Sequence, residues 1–445
     1  MPAAASVPSL RTRAFVILGL TSVAVAQPLL DLFGRNPEFF VAGRYSTSQI
    51  VAFALAVTLV VPAVLIGLTA LAGAISTRAG TIVYAAVVAL LAAVLVMAVL
   101  RTIGVDAAVV VLLAAAAAGL ALAALVLRTT GGRLLASYLA VANVFFVGSF
   151  LFLGETSQLV AGGGAGDLGR VDVPTPPGPV VWIVLDEMPA TTIMRADGSI
   201  NEERYPGFAE LAAVSSWYRN ASSPYNLTHR AVPAQLTGTL GDGDDLPTAQ
   251  NHPRSLFSLL GGKVPVVRYE SVTDMCPTSA CEPGPRRSLR QALKDATIVF
   301  GHRVLPESWR DELPAINNSW GAYGAEDDGG RAGSASEDSA APVTQRDVIN
   351  QSYAKWRELG ADERSPLGQA GLLREQIEAI GAGPSLHFVH VALPHRPWTL
   401  SRSGLSTSYE PDLVTDPEAP GYAFGARLEA QLHAMQVGAA DVLMG

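Results

Sequence analysis

The fold of the second half of the chain is decided by residues 180–187, Val180-Val181-Trp182-Ile183-Val184-Leu185-Asp186-Glu187. Six apolar residues, most of them β-branched, predict a short buried strand, and such a continuous apolar run is typical of a parallel sheet. Asp186 and Glu187 follow at the carboxyl end of the strand, where α/β sheets hold their ligand sites. A solvated turn is the alternative for these two acids. We predict an α/β fold with a candidate site here.

Residues 226–238 form the second segment of chemical interest, because of Thr228. We predict a helix over residues 231–240, ended by Gly241, with Thr228 just before it near an N-cap position. Threonine is a preferred cap for structural reasons alone. The functional alternative is that a hydroxyl there lies at the positive end of the helix dipole, which suits a phosphate and an activated alkoxide. Two further elements are predicted before it: a helix from about Tyr205 to Val214 and a short aromatic strand from Trp217 to Arg219.

Residues 386–398 form the third segment, a predicted strand followed by the turn Pro394-His395-Arg396-Pro397. His395 lies between two prolines that stiffen the turn, as expected of a residue that faces a ligand. His387 and His390 are three apart on the strand and therefore point to opposite faces. We predict that one of them is solvated and the other is a core histidine.

These three segments together resemble the sulfatase/alkaline-phosphatase superfamily. In that superfamily the first strand ends in an acidic metal ligand, matched here by Asp186, and Glu187 takes the place of a second acid. The nucleophile position falls on Thr228, and His395 matches a histidine that contacts the bound ester group. The resemblance implies an α/β/α domain that binds a divalent metal ion (Mn, Mg, Zn or Ca) through Asp186, Glu187 and Thr228.

The residue at the nucleophile position separates two branches of that superfamily. True sulfatases need Cys or Ser there, inside Cys-x-Pro-x-Arg, whereas this chain has Thr228-His229-Arg230-Ala231-Val232. A threonine nucleophile resembles the phosphoethanolamine transferases and the lipoteichoic acid synthases. The synthases, like this chain, combine an N-terminal helix bundle with an outer catalytic domain. His229 and Arg230 are candidates for contacts to substrate oxygens, with plain surface placement as the alternative.

The resemblance covers residues 180–445 and leaves out the last part of the superfamily domain. Relatives complete their metal site with a late Asp-His-Gly-like segment, and this sequence contains no Asp-His pair. The chain stops inside a predicted helix that begins near Tyr422, and in relatives this helix precedes that segment. We therefore expect the alkaline-phosphatase-like domain to be incomplete at its C-terminal end.

The first half of the chain has few charges. Charged residues make up 16% of the 445 residues, against about a quarter in ordinary soluble domains, and the deficit falls in residues 14–153. Five apolar stretches are long enough to cross roughly 30 Å of hydrocarbon: about 14–33, 49–74, 81–100, 107–127 and 134–153. We predict a transmembrane bundle of about five helices (1–153), a Gly/Pro-rich linker (154–179) and a sulfatase-like domain (180–445).

The first apolar stretch has two interpretations. Ala24-Val25-Ala26 resembles a signal-peptidase site, but apolar character continues through Phe33, which favours an uncleaved helix. Either choice leaves the sulfatase-like domain outside the cytoplasm. The positive-inside rule supports this topology, because Arg11, Arg13, Arg78, Arg128 and Arg133 fall on the inner side, whereas Arg35, Arg44 and Arg101 on the outer side are mixed with acids. We predict a multi-pass protein of a bacterial-type cell membrane with an extracytoplasmic C-terminal domain.

Three smaller features complete the prediction for the second half. Cys276 and Cys281 form either a small disulfide loop or two metal ligands; a disulfide is favoured, because two ligands are too few for a closed zinc site. A short strand is predicted from Val264 to Tyr269, and a flexible loop over residues 324–342. The net charge of −8 and the pI of about 5.4 argue against a nucleic-acid partner.

The predicted activity follows from the resemblance and from Thr228. We expect a membrane-anchored enzyme that transfers or hydrolyses phosphoryl groups of envelope lipids or glycans, with Thr228 as a metal-activated nucleophile. The expected partners are membrane lipids and a lipid head-group or glycan ester. One alternative keeps the fold and hydrolyses sulfate esters. The other is a non-catalytic envelope protein that only binds glycans or lipids.

Overall fold

The computed structural model describes residues 8–105, 107–161, 173–241, 245–310, 312–316, 320–323, 353, 355–357, 363–406 and 422–445. The linker glycines 162–164 and the loop predicted over residues 324–342 lie outside these ranges. The chain divides into two compact units. The first comprises Met1–Gly164, Pro285–Ile316 and Trp320–Tyr323; the second comprises Ala165–Gly284, Asn317–Ser319 and Gly324–Gly445.

Along the chain, the first described elements are all helices, and the later ones are a mixture of helices and strands. They are α1 (Leu10–Thr21), a π-helical turn (Ser22–Ala26), α2 (Gln27–Gly34), α3 (Glu38–Ala42), α4 (Thr47–Ile75), α5 (Thr77–Thr102), α6 (Ala108–Arg128), α7 (Thr130–Phe152), α8 (Ser157–Val160), β1 (Pro179–Leu185), α9 (Ala190–Ile193), α10 (Pro206–Ala213), α11 (Thr228–Thr237), α12 (Leu256–Leu260), β2 (Val266–Glu270), α13 (Leu289–Val304), α14 (Glu307–Arg310), α15 (Pro366–Glu378), β3 (Ser385–Val391) and α16 (Tyr422–Met444).

The first unit contains the apolar helices. Among the described residues, five helices are long and apolar enough to cross a membrane: Leu10–Gly34, Thr47–Ile75, Thr77–Thr102, Ala108–Arg128 and Thr130–Phe152. Each corresponds to one apolar stretch of the sequence, so the prediction of five such helices is confirmed. The first span runs through Ala24–Ala26 as the π-helical turn, and Pro28 just after it has no N–H to donate to the Ala24 carbonyl.

Small residues let these helices pack closely. A Cβ atom at Gly19 of α1 would overlap the Ala136 carbonyl oxygen of α7, and one at Gly119 of α6 would overlap the Ala89 carbonyl oxygen of α5. Such close backbone approach is typical of helix pairs in membranes, where association depends on van der Waals packing. The sequence of the spans therefore specifies which helix faces meet.

A proline inside α4 is compensated by a side chain of α7. Pro62 cannot donate the hydrogen bond that the Thr58 carbonyl would otherwise accept. The side-chain amide of buried Asn143 donates to that carbonyl at 3.3 Å. An unsatisfied carbonyl is costly where no water is present, so Asn143 gives α7 a specific position against α4.

The second unit is built on a small parallel sheet. Its described strands lie in the order β1-β3-β2, and β3 pairs in parallel with both neighbours. The predicted strands at residues 180–185, 264–269 and 386–391 are confirmed, with shifts of one or two residues at their ends. Helices cover both faces: Val389 and Val391 pack toward α15 and α16, whereas Leu386 and Phe388 pack toward α11 and α12.

Three local predictions were wrong. The helix after Thr228 spans Thr228–Thr237 instead of 231–240, because Gly238 adopts φ 67° and ends it. Residues 217–219 form no strand in the described structure, and Trp217 and Tyr218 are exposed. His387 and His390 are both buried, because β3 is the central strand and is covered on both faces.

A buried carboxylate fixes the loop after β2. Glu270 forms an ion pair with Arg268 at 2.9 Å and accepts hydrogen bonds from the Thr273 hydroxyl and from the backbone of Met275 and Cys276. A disulfide joins Cys276 to Cys281 just beyond. A buried charge is tolerated only when it is paired and hydrogen-bonded, so this network determines the path of the loop.

We predict that Glu270→Ala destabilises the protein by about 3–5 kcal/mol, because it removes the nearer carboxylate of the buried Arg268, at 2.9 Å, and leaves only Asp274 at 3.6 Å. The matched control is Glu378→Ala, which removes an exposed carboxylate from its pair with Arg374 within α15 and should cost only about 0.3–0.5 kcal/mol. Urea unfolding of the detergent-solubilised protein, followed by tryptophan fluorescence, measures both. Equal losses for the two variants would contradict the structural role of Glu270.

We predict a pH dependence of stability from His387. Burial lowers the pKa of His387 below its ordinary value of 6.5, so the folded state holds the neutral ring while the unfolded state takes up a proton. The stability contribution is therefore present above about pH 6.5 and is lost as the pH falls toward the folded pKa. The free energy of unfolding of wild type and of His387→Phe is measured between about pH 7 and 5, and it should fall less steeply with decreasing pH in the variant. The same pH dependence in both proteins would refute the role of His387.

Candidate active site

The first acid of the candidate site is held at the end of β1. The Asp186 backbone N–H donates to the Val391 carbonyl at 3.2 Å, which joins the ends of β1 and β3. The Asp186 carboxylate accepts a hydrogen bond from the Glu187 N–H at 3.1 Å. Its side chain is only 14% exposed. The carboxylate is therefore fixed by backbone contacts before any ligand is considered.

Thr228 lies directly beside this carboxylate. Its Oγ1 atom is 3.1 Å from Asp186 Oδ1 and 3.3 Å from Oδ2, and the hydroxyl donates. Thr228 is the first residue of α11, with Leu227 as the N-cap. The first N–H groups of a helix have no partners within that helix. The hydroxyl thus lies between an acidic side chain and the positive end of a helix dipole.

A buried histidine lies behind Asp186. His390 pairs with Val184 in the sheet, two residues before Asp186, and its Nε2 atom is 3.7 Å from Asp186 Oδ2. Its Nδ1 atom is 3.1 Å from the Ser271 hydroxyl. His390 is fully buried, and in the described part of the chain its Nε2 has no hydrogen-bond partner. This nitrogen is therefore directed at the carboxylate beyond hydrogen-bond distance.

The pKa of Asp186 reflects these neighbours. Burial alone would raise it, but the nearby His390 and His395 rings and the Thr228 hydroxyl lower it by more, so the pKa lies below its ordinary value. These groups favour the ionised carboxylate over the protonated one. Asp186 is thus an acceptor of hydrogen bonds or a ligand of cations at neutral pH.

The second acid contacts a different set of residues. Glu187 has φ 57°, a left-handed conformation that is uncommon for residues other than glycine and that clusters at functional sites. Its Oε1 atom is 3.3 Å from His395 Nε2. His433 of α16 contacts the Glu187 carbonyl oxygen through Nε2 at 3.0 Å, and its ring packs edge-on against Trp398. The Glu187 carboxylate is therefore in contact with the His395 ring, and its role as a metal ligand stays a prediction.

The turn that carries His395 is held by a buried glutamine. Gln436 donates to the carbonyl oxygens of Pro394 and His395 at 3.1 and 2.7 Å and accepts from the Leu400 N–H at 3.0 Å. His395 Nδ1 lies 2.8 Å from the Arg396 carbonyl oxygen. Gln436 of α16 thus fixes the backbone on both sides of the turn. The contact with the Arg396 carbonyl oxygen fixes the orientation of the His395 ring.

The remaining predicted residues lie on the first turn of α11. Burial and then the charge of Arg230 lower the pKa of the His229 ring below its ordinary value. Arg230 is partly buried, and its Nε has no hydrogen-bond partner among the described residues. Contacts of these two residues to substrate oxygens stay a prediction.

The donors at this site fit one side of a divalent-cation site. A carboxylate, a hydroxyl and a buried imidazole nitrogen lie together at Asp186, Thr228 and His390, and the imidazole nitrogen has no hydrogen-bond partner among the described residues. All three are groups that bind divalent metals. Among the described residues no group of three or more His, Cys, Asp and Glu could hold a metal ion. The fit therefore rests on two ionisable side chains and the threonine hydroxyl.

The sequence prediction missed two histidine contacts for different reasons. His390 could have been found, because parallel pairing in register brings the end of its strand beside Asp186. His433 could not, since only the packing of α16 brings it to Glu187.

In comparisons with family models, with curated proteins and with solved structures, nothing matches this chain.

We predict that Gln436→Leu loosens the His395 turn, because it leaves three backbone groups without partners at about 1–3 kcal/mol for each one that stays buried. Hydrogen–deuterium exchange should speed up at the Leu400 amide and in the peptide over residues 393–406. Gln431→Leu is the control, since Gln431 is exposed on the same helix and should leave exchange there unchanged. Unchanged exchange in Gln436→Leu would refute the assignment.

Proposed function

We propose that this chain belongs to a membrane-anchored enzyme of the sulfatase/alkaline-phosphatase type that transfers or hydrolyses phosphoryl groups. The observation that carries the proposal is the contact of the Thr228 hydroxyl with Asp186, at 3.1 Å. A nucleophile and an acidic partner within hydrogen-bond reach are the recurring signature of covalent catalysis. The residue type at this position, threonine, favours phosphoryl over sulfuryl chemistry by the resemblance described above.

Thr228 supplies the attacking oxygen in the proposed reaction. The ionised Asp186 carboxylate orients the hydroxyl proton away from the attacking lone pair and accepts it as the bond to phosphorus forms. As the phospho-threonine forms, the bond from phosphorus to the leaving oxygen breaks, and that oxygen takes the proton from Asp186 and departs as an alcohol. Water or an acceptor alcohol then attacks phosphorus, and its proton restores the Thr228 hydroxyl. A divalent cation held by Asp186, Thr228 and His390 would supply positive charge that lowers the pKa of the hydroxyl.

Neighbouring N–H and guanidinium groups can stabilise the negative charge of the phosphoryl group. The first backbone N–H groups of α11 and the Arg230 guanidinium are donors on the same helical turn as Thr228, and helix N-termini are favourable sites for phosphate. His395 is held near Asp186, close enough to lower its pKa. We propose that these groups stabilise the negative charge on the non-bridging oxygens of the phosphoryl group.

The membrane helices favour a substrate from the cell envelope. Five apolar helices in the same chain hold the catalytic unit at a membrane, where lipid head groups and membrane-linked glycans are concentrated. The distribution of arginines between the spans favours an extracytoplasmic location of the catalytic unit. We therefore propose phospho-esters of envelope lipids or glycans as substrates.

We predict that Thr228→Ala lowers kcat by at least about 10³-fold, because it removes the nucleophile. Thr228→Ser should keep part of the activity, and Thr237→Ala is the control at the other end of the same helix. The whole protein in detergent is assayed with p-nitrophenyl phosphate, bis(p-nitrophenyl) phosphate and p-nitrophenyl sulfate, each with added Mn²⁺, Mg²⁺, Zn²⁺ or Ca²⁺.

Peptide mass spectrometry should find one phosphoryl group on the peptide that contains Thr228 after rapid acid quenching. Retained activity in Thr228→Ala, with wild-type folding, would exclude this nucleophile. Turnover of the sulfate ester alone would replace the proposed reaction by sulfate-ester hydrolysis.

A further inference from the structure

The beginnings of three apolar helices, α1, α5 and α7, meet at one end of the first unit. Arg13 lies in the first turn of α1, and its Nη2 donates to the Thr81 hydroxyl of α5 at 3.3 Å. Further along α1, Gly19 is in close contact with Ala136 of α7, three residues after Arg133. The Arg133 side chain donates to carbonyl groups in the last turn of α6. The two arginines therefore lie at the same end of these helices.

Arg13 is a buried cation. The residue is only 7% exposed, and its guanidinium carbon lies 5.4 Å from the centre of the fully buried Tyr84 ring. Arg133 is partly buried, and the charges of both arginines act electrostatically on Tyr84. The Tyr84 hydroxyl is buried and has no hydrogen-bond partner among the described residues. Two guanidinium groups and an unsatisfied hydroxyl thus lie together between α1, α5 and α7.

Neither arginine has an ion-pair partner in the part of the chain that the structure describes. Arg13 donates to the Pro8 carbonyl and the Thr81 hydroxyl, and Arg133 donates to carbonyl groups and to the Thr130 hydroxyl. All of these acceptors are neutral. An aromatic ring compensates a cation only in part, and a buried charge is costly unless it is paired. An anion at this position would supply the missing negative charge.

The acids of the same unit lie elsewhere. Three stretches contain no Asp or Glu at all: residues 1–30, 39–105 and 107–154. Asp31 lies 18 residues after Arg13 in the first span, which is roughly 27 Å along a helix. Glu307 acts electrostatically on Arg101, at the opposite end of α5 from the Arg13 contact. These carboxylates are therefore too far away to compensate Arg13.

The buried acid of this unit, Asp295 of α13, is compensated where it lies. It accepts the backbone N–H groups of Ala322 and Tyr323 at 2.7 and 2.9 Å. The apolar face of α13, with Ala292 and Ala296, packs in a cluster that contains five phenylalanines: Phe33, Phe39, Phe40, Phe53 and Phe150. Tyr84 belongs to a different cluster of the unit. Asp295 is therefore not a counter-ion for the two arginines.

The two arginines lie near the ends of helices that are long and apolar enough to cross a membrane. Arg13, Thr81 and Arg133 are each the fourth or fifth residue of their span. The 26 residues of α5 extend about 39 Å, beyond the roughly 30 Å of hydrocarbon. The first turn of such a span therefore lies at the boundary between the hydrocarbon and the phosphate groups of the lipids.

Exposed apolar side chains flank the same helix ends. Leu10, Phe15, Ile82 and Leu134 are more than half exposed, and each lies one to three residues from Arg13, Thr81 or Arg133. Apolar surface of this kind suits acyl chains, whereas free phosphate has no use for it. A lipid, which carries a phosphate group and acyl chains in one molecule, therefore fits the position better than a free anion.

We propose that Arg13 and Arg133 bind the phosphate group of an anionic membrane lipid between α1, α5 and α7, with the Tyr84 hydroxyl as a third donor. Guanidinium groups form charge-assisted hydrogen bonds with phosphate oxygens, and basic pockets between membrane helices suit anionic lipid head groups. The lipid charge compensates Arg13, and its acyl chains lie along the exposed apolar side chains. The site stands whether or not Thr228 is a nucleophile.

The test measures lipid binding by the whole protein in neutral detergent. Delipidated protein is titrated with fluorescent phosphatidylglycerol or phosphatidylcholine in mixed micelles, and anisotropy gives the apparent Kd. Arg13→Gln and Arg133→Gln should each weaken phosphatidylglycerol binding about fivefold, the effect of one basic residue near an anionic lipid surface. Tyr84→Phe, which removes a single oxygen atom, should weaken it about threefold. Binding of phosphatidylcholine should stay unchanged in all three variants.

The matched control is Arg11→Gln with Arg78→Gln, which removes two exposed arginines near the beginnings of α1 and α5. It should keep phosphatidylglycerol binding within about twofold of wild type, because exposed charges are screened by salt. An excess of inorganic phosphate should not displace the lipid from the wild-type protein. Gel filtration and thermal unfolding in the same detergent check that each variant is folded, and Arg133→Gln and Tyr84→Phe carry the test if Arg13→Gln does not fold.

The proposal is overturned if folded Arg133→Gln and Tyr84→Phe bind phosphatidylglycerol as wild type does, or if the control variant loses as much as the variants at the site. An equal loss of both lipids would show that these residues only support the packing of the helices. Displacement of the lipid by inorganic phosphate would show a site for the free anion. Either of these results also overturns the proposal.

Discussion

Parallel pairing of the central strand β3 with both neighbours is the constraint on which the second unit depends. Because all three strands run the same way, their carboxyl ends meet at one edge, and the backbone hydrogen bond from Asp186 to Val391 joins two of those ends. Residues far apart in sequence are thereby brought together: Asp186 after β1, Ser271 after β2 and His395 after β3. The candidate site is a consequence of strand direction before it is a matter of side-chain chemistry.

Elements with a strong local pattern could be predicted from the sequence. The five apolar helices, the three strands and the helices α10 and α16 follow from runs and periodicities of apolar residues. The contact between Asp186 and Thr228 also agrees with the positions picked from the sequence, although their catalytic roles remain proposals. The errors came where the signal was weak or tertiary: Gly238, not Gly241, ends α11, and residues 217–219 form no strand in the part of the chain that the structure describes.

Other features have no signal in the local sequence. The sequence prediction placed one of the two β3 histidines in solvent, because it could not show that β3 is central and covered on both faces. The attachment of α13 to the first unit depends on contacts between residues more than two hundred positions apart, such as Gln49 with Arg287. The compensation of Pro62 by Asn143 is of the same kind. Each is decided by which surfaces remain to be covered once the stronger elements have formed.

The return of the chain to the apolar helices at Pro285–Ile316 changes how the second unit is attached. A domain that follows its membrane anchor in a simple series is held by one covalent connection. Here the chain passes from the first unit to the second near residue 164, back near residue 284, and out again between residues 316 and 324. A single cut in the Gly/Pro-rich linker would therefore leave both fragments bound to the membrane helices, one by the spans and the other by the packed face of α13.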